Sequence, residues 1–192
     1  MPAAPTSPAA PSWPDDIFAA LRSLDVRIVA YVPDAVRIRL IERCRAETAM
    51  IAVPLTTEEE GVALLAGAWL GGLRGALLMQ SSGVGNCINM LSLTRTCRLP
   101  LLILATMRGE DGESNPWQLP MGRITGDVLG LAGVAVSRVD AAADAGPVAG
   151  AGGATGADHR RLADTQRHHE RDRGALQGDG MGRQLARAHE PH

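Results

Sequence analysis

The sequence predicts an α/β protein: a three-layer, doubly wound parallel sheet with helices on both faces, followed by a disordered C-terminal tail. Three observations carry this. Segments of strand length alternate with segments of helix length from Ile17 to Val139. The strand-length runs are continuously apolar rather than alternating, the pattern of strands buried on both faces. A chain of 192 residues suits one domain with a real core.

The elements follow in order. Ser12 and Pro14 mark a helix start, and Ile17, Leu21 and Leu24 give its apolar stripe. VRIVAYV (Val26 to Val32) reads as a buried strand. Asp34 then caps a second helix with Val36, Leu40, Ile41 and Cys44 on one side. MIAVPL (Met50 to Leu55) is the second strand. Thr57 and Glu60 have the spacing of a capping box ahead of VALLAGAWLGGL, a helix apolar on nearly all sides and therefore expected to be buried. Gly61, Gly67 and Gly71 each weaken that helix by up to ~1 kcal/mol relative to Ala, which implies a packing reason. ALLMQ (Ala76 to Gln80) is the third strand. SSGVGN (Ser81 to Asn86) reads as a glycine turn opening a helix from Cys87 to Thr94. LPLLILATM (Leu99 to Met107) is the fourth strand. A polar loop, a helix around Ile124 to Leu131 and a strand VAVSRV (Val134 to Val139) complete the ordered part.

The organisation expected is a Pro/Ala-rich disordered arm over 1–13, one domain over 14–140, and a low-complexity tail over 141–192. The tail has no Ile and no aromatic residue, and Val148, Leu162, Leu176 and Leu185 are too sparse for a continuous apolar face. It holds every His of the protein: His159, His168, His169, His189 and His192. Their spacing suits no specific metal site. The tail's Ala, Gly, Arg, Asp, His and Gln are what GC-rich DNA yields out of frame, and the true frame is read as lost between about 140 and 155. Gly178-Asp179-Gly180 is a chance match to the start of a metal–diphosphate motif, since no strand precedes it and no Asn follows.

Composition excludes several function classes. The net charge is −2, and all 19 basic residues are Arg. Neither nucleic acid nor an anionic membrane surface has an electrostatic case. Cys44, Cys87 and Cys97 form neither a disulfide framework nor a zinc site. No metal ligands are assigned. The apolar stretch Val62 to Leu73 is too short for a bilayer, and no secretory signal opens the chain. A cytoplasmic protein is expected. The ordered part has no His, so Ser/His/Asp and Cys/His nucleophiles are excluded.

Ligands of such folds sit at the carboxyl ends of the strands. There the sequence places Pro33–Asp34, Thr56–Glu58, Ser81–Asn86 and Arg108–Gln118. The Ser81–Asn86 glycines can bring backbone N–H groups to a ligand, or form a plain tight turn. Glu58, Glu59 and Glu60 either decorate a helix start or include one carboxylate facing a buried ligand.

The segments TTEEEGVALLAGAWLGG, ALLMQSSGVGNCINMLSL and LPLLILATMRGEDGESNPWQLPMGRIT together resemble the pyrimidine-binding domain of thiamine-diphosphate-dependent decarboxylases. The similarity is greatest to the sulfopyruvate decarboxylase alpha subunit and phosphonopyruvate decarboxylase families, from about Asp15 to about Asp140. The resemblance implies that Glu58, nine residues before Gly67, contacts the cofactor's aminopyrimidine as the catalytic carboxylate. It implies a cofactor-binding turn of Gly83, Val84, Gly85 and Asn86, with Ser81 in place of an Asn. YVPDAV places Asp34 near the substrate, with Ala35 where a Ser is common. Arg108 and Gln118 are candidates to meet an anionic substrate group, or to stabilise their loop. The implied cofactors are thiamine diphosphate and Mg²⁺, the ion held by a partner. That partner is a beta subunit carrying the diphosphate-binding domain, in a hetero-oligomer acting on a small 2-oxo acid. The competing readings are a truncated, non-catalytic remnant and a standalone small-molecule-binding domain.

Overall fold

Four parallel strands form one sheet in the order β2–β1–β3–β4: β1 (Val26–Tyr31), β2 (Ile51–Pro54), β3 (Arg74–Gln80) and β4 (Leu102–Thr106). The computed structural model describes residues 12–110 and 112–156. Tyr31 pairs with Pro54 on one side and Leu78 on the other, and Leu78 pairs with Leu104. The chain moves outward from β1 to β2, then crosses back to β3 on the far side of β1. The sheet direction therefore reverses between β1 and β3, and the crevice outside their carboxyl ends is where such folds bind ligands.

Side chains alternate across the sheet with the two-residue period of a strand. Val29, Tyr31, Ala76 and Leu78 face one core, under helices α1 (Trp13–Ser23) and α2 (Ile38–Ala46). Ile28, Ala30, Leu77 and Met79 face the other. That core lies under α3 (Glu58–Leu70), α4 (Ser81–Cys87), α5 (Leu91–Thr96) and α6 (Leu119–Leu131). The three-layer α/β architecture expected from the apolar runs is present. Leu21, Leu40, Leu77 and Leu78 are fully buried, each contributing ~1.5–3 kcal/mol of apolar transfer.

Several elements depart from expectation. Val134–Val139 forms no strand: it ladders with no described strand, and Val136 is 50% exposed. Strand propensity needs a neighbouring strand to act on, and among the described residues β4 pairs only with β3. Ser81–Asn86 is not a turn before a helix but is itself helical, as α4. Asp34 caps a 3-10 turn over Ala35–Arg37 rather than α2 directly, which carries Val36 to the surface while Arg37 turns inward. The capping box is incomplete. The Thr57 side chain caps no backbone N–H, and Glu60 accepts instead from the Thr56 N–H at 3.0 Å.

Helix α3 is not buried all round. Gly61, Val62 and Leu65 face the core, whereas Ala63, Gly67 and Leu70 are exposed. Past the expected domain end at 140, a helix α7 (Ala145–Gly156) packs against α1, with Ala145 and Ala149 buried. It presents no stripe of large apolar residues. Its small residues allow close approach instead, and a Cβ on Gly146 would lie 2.9 Å from the Asp16 Cβ. The tail expectation beyond 156, like the arm up to residue 11, lies outside the described residues.

Candidate active site

The carboxyl end of the sheet gathers the segments that follow each strand. After β2, Thr57 is extended at φ −147° and α3 begins on Glu58. The three adjacent glutamates then separate in role. Glu59 takes the Thr57 hydroxyl, which holds its carboxyl below the usual range. Glu60 takes the Thr56 N–H. Glu58 alone turns inward and is 9% exposed. Asn86 Nδ2 donates to Glu58 Oε2 at 2.8 Å, and Oε1 has no hydrogen bond among the described residues. Gly83 lies directly against this carboxylate: a Cβ there would overlap the Glu58 side chain. Gly83 is thus a glycine because a carboxylate approaches its backbone. Below, burial and the charges of Glu58 and Glu59 push the Cys87 thiol up to about 12, so it is an inert core thiol.

The expected cofactor turn is only partly assembled as anticipated. Gly83 and Asn86 meet Glu58. The Val84 side chain is fully buried in the second core. Gly85 faces outward, with a Cβ there lying 3.7 Å from the Met121 sulfur.

A second polar cluster links the ends of β1, β3 and β4. Asp34 Oδ1 accepts from the Val36 N–H at 3.1 Å. Asp34 Oδ2 accepts from Arg37 Nε at 3.2 Å and from the Thr106 hydroxyl at 2.9 Å. Burial opposes the ionisation of Asp34. The Val36 N–H, Thr106, Arg37 and Gln80 together overcome that and hold its carboxyl below the ordinary value. Arg37, 2% exposed, also donates through Nη1 to the Leu104 carbonyl at 2.9 Å. Asp34 and Arg37 form an ion pair at 3.1 Å, with both side chains almost wholly out of solvent. Asp34 therefore spends its oxygens on the protein. The sequence reading missed Arg37, Thr106 and Gln80. For Arg37 the signal was present, a cation three residues after a carboxylate.

Arg108 does not point a free guanidinium at this centre. Its Nε and Nη2 grip Glu113 at 2.8 and 2.9 Å, while its N–H donates to the buried Ser81 hydroxyl at 2.9 Å. Of the two roles open for it in the sequence, loop stabilisation is the one these bonds perform. Gln118 ends a 3-10 turn, and its backbone packs on Gly109, which adopts φ +74°. The described residues hold no group of three or more His, Cys, Asp or Glu suited to a metal ion. No helix among them is long and apolar enough to cross a membrane.

Comparison with known proteins bears on this arrangement. Over 114 residues the chain is 38% identical to the sulfopyruvate decarboxylase subunit alpha of Methanothermobacter thermautotrophicus, covering 59% of this chain and 69% of that one. The chain belongs to the sulfopyruvate decarboxylase alpha-subunit family. The relative in Methanocaldococcus jannaschii, also a sulfopyruvate decarboxylase subunit alpha, is 39% identical over 108 residues, 56% of this chain and 64% of the relative. The phosphonopyruvate decarboxylase of Streptomyces viridochromogenes is 43% identical over 118 residues, 60% of this chain but only 30% of that protein. No family model matches the chain. Among solved structures, a 2-oxoglutarate:ferredoxin oxidoreductase from Magnetococcus marinus shares the fold, with a TM-score of 0.56 at 13% identity. The match covers 74% of this chain and 26% of that one. The family thus supports the decarboxylase resemblance that the Glu58, Ser81–Asn86 and Arg108–Gln118 segments carried in the sequence.

Proposed function

We propose that this chain supplies the pyrimidine-binding half of a thiamine-diphosphate-dependent decarboxylase acting on a small 2-oxo acid with an anionic end, of the sulfopyruvate or phosphonopyruvate type. The observation that carries the reading is the inward carboxylate of Glu58, seated on Gly83 and held by Asn86. Its chemistry fits an aminopyrimidine. One oxygen is fixed by Asn86, and the other is free to meet a ring nitrogen. When bound, thiamine diphosphate supplies the electron sink for loss of carbon dioxide from the 2-oxo acid.

The chain's own residues prepare for that chemistry. Glu58 holds a proton at the pyrimidine nitrogen and orients the ring. Asn86 fixes the carboxylate's rotamer, and the absence of a side chain at Gly83 lets the carboxylate sit low. Val62, Leu65 and Val84, all buried in the same core, lower the local dielectric and strengthen that hydrogen bond. Arg108 is spent on its own loop and Asp34 on Arg37 and Thr106 rather than on substrate, and Gln118 remains the candidate contact for the anionic group. The Mg²⁺ and diphosphate belong to a partner chain, and the complete site forms between the two.

Glu58→Gln tests the reading. It keeps the shape and removes the charge, and it should lower decarboxylation at least ~10²-fold in the assembled enzyme with cofactor and substrate, with the fold unchanged by circular dichroism. Undiminished turnover would sink the assignment.

A further inference from the structure

The loop after β4 is braced more heavily than a connection needs, and what it presents is an exposed indole. Glu113 ties Arg108, Gly109 and Asn115 together. A Cβ on Gly109 would overlap the Gln118 carbonyl, and one on Gly122 would overlap the Arg108 carbonyl. Backbone thus lies directly on backbone at both places. The Gln118 N–H closes a 3-10 turn onto the Asn115 carbonyl at 2.9 Å, with Pro116 at its start. Between these fixings Trp117 is 72% exposed and packs in neither core. Its place is the rim of the crevice. The loop starts at Arg108, whose N–H is bound to Ser81 at the start of α4. Helix α6 begins two residues after Trp117 and brings Met121 to Gly85, the neighbour of the Asn86 that holds Glu58. At the carboxyl end of β1, Val36 and Ile38 are each more than half exposed, and Arg37 between them is tied to the Leu104 carbonyl of β4. Large exposed apolar side chains therefore stand on the β1 and β4 sides of one opening.

We propose that Trp117 is the anchor by which this chain grips the partner subunit that closes the crevice, with Val36 and Ile38 as the rim on the other side. This rests on the two-chain reading above and deepens it by naming the surface. The occupant is a different chain, because that reading leaves the crevice open over Glu58, and a chain that covers Glu58 from the carboxyl end of the sheet meets this rim. The chemistry of the fit is apolar. Asn115 to Met121 carries no charge, and Arg108 and Glu113 neutralise each other. An exposed Trp gives up the burial of about 150–250 Å² that its ring offers, and an interface recovers it. The partner therefore presents an apolar pocket for the ring, with a carbonyl or carboxylate at its edge to accept the indole N–H. The bracing of the loop serves the same end. A rigid aromatic side chain on a fixed backbone loses little conformational entropy when it docks, so more of the contact energy appears as affinity.

The test measures association of the full chain with the beta subunit that carries the diphosphate-binding domain, by isothermal titration calorimetry without substrate or cofactor. Trp117→Ala should weaken association at least ~30-fold, with the circular dichroism unchanged. Trp117→Phe should recover most of that loss. Val36→Ser, on the other side of the crevice, should weaken association about tenfold, and it decides the matter if Trp117→Ala disturbs the loop. Leu131→Ala is the control. Leu131 is 84% exposed but ends α6, which runs from the loop after β4 toward the opposite end of the sheet, and its loss should leave association unchanged. Native affinity in Trp117→Ala overturns the proposal, and so does an equal weakening by Leu131→Ala. Self-association of the chain that Trp117→Ala abolishes while binding of the beta subunit persists assigns the surface to a second copy and also overturns it. Those failures leave the two-chain reading standing, since they are read on a pair that still assembles. A native chain that does not bind the beta subunit at all removes that reading and this one together.

Discussion

Glu113 accepts four hydrogen bonds, two from the Arg108 guanidinium and one each from the Gly109 and Asn115 N–H groups. The Arg108 bonds foremost, then the backbone donors, hold its carboxyl down at about 2, against an ordinary 4.5. A carboxyl depressed on folding contributes stability that is present above its unfolded value and lost as pH falls through the folded one. The loop after β4 should therefore loosen between about pH 4.5 and 2. Thermal melts across that range should fall more steeply for the native chain than for Glu113→Gln, and parallel curves would refute the assignment. At this scale the sequence was half legible. The family resemblance, counted back from Gly67, implies Glu58 among three adjacent glutamates, and only Glu58 turns inward. The fate of Arg108 was not legible, because its partner is chosen by the loop's path and not by spacing. Nor was the inward turn of Arg37, which depends on a 3-10 turn rotating it beneath Val36.

At the scale of elements, α3 separates two uses of glycine. A Cβ on Gly61 would come within 2.5 Å of Leu77 Cδ1 and 2.8 Å of Leu55 Cδ1, so both side chains would have to shift, and Leu77 is fully buried. Gly61→Ala should cost about 1–3 kcal/mol as overpacking. A Cβ on Gly67 meets nothing within 4 Å. Gly67→Ala should stabilise the isolated chain by up to ~1 kcal/mol, through helix propensity alone. Urea unfolding of both variants checks the contrast, and equal destabilisation would contradict it. The packing reason read into both glycines thus holds within this chain for Gly61. Strand positions were legible to within a few residues because buried parallel strands are continuously apolar. Val134–Val139 has the same pattern but no ladder, since pairing is a property of two segments. Helix α7 was illegible for the converse reason: small residues pack by proximity, and no periodicity of large side chains marks them.

On the proposed function the whole molecule gathers one half of a site, in which Glu58, Gly83 and Asn86, in contact here, would meet a pyrimidine. The described residues hold no cluster suited to a metal ion. The chain alone, given thiamine diphosphate, Mg²⁺ and sulfopyruvate, should release no carbon dioxide above background. Adding a beta subunit that carries the diphosphate-binding domain should restore turnover by orders of magnitude. Turnover by the chain alone would contradict the two-chain site. The exposed outer side of α3, with Ala63, Gly67 and Leu70, shows why an all-apolar helix was misread as enclosed. Hydrophobicity records that water is to be excluded, and it does not say whether this chain does the excluding.

By itself the sequence determined the α/β class and the positions of four of the five expected strands. These depend on local pattern and on hydrophobic burial, which composition and spacing express directly. Only the tertiary structure decided which polar groups spend themselves on one another. Asp34 and Arg108, both candidates for a substrate, are engaged by Arg37 and Glu113, while Glu58 retains an open oxygen. These pairs lie three and five residues apart in the chain, but what anchors the first at the sheet end is long-range: Arg37 reaches the Leu104 carbonyl across 67 residues and Asp34 the Thr106 hydroxyl across 72. No local spacing encodes those distances, because the sheet that brings the ends together forms from the chain as a whole.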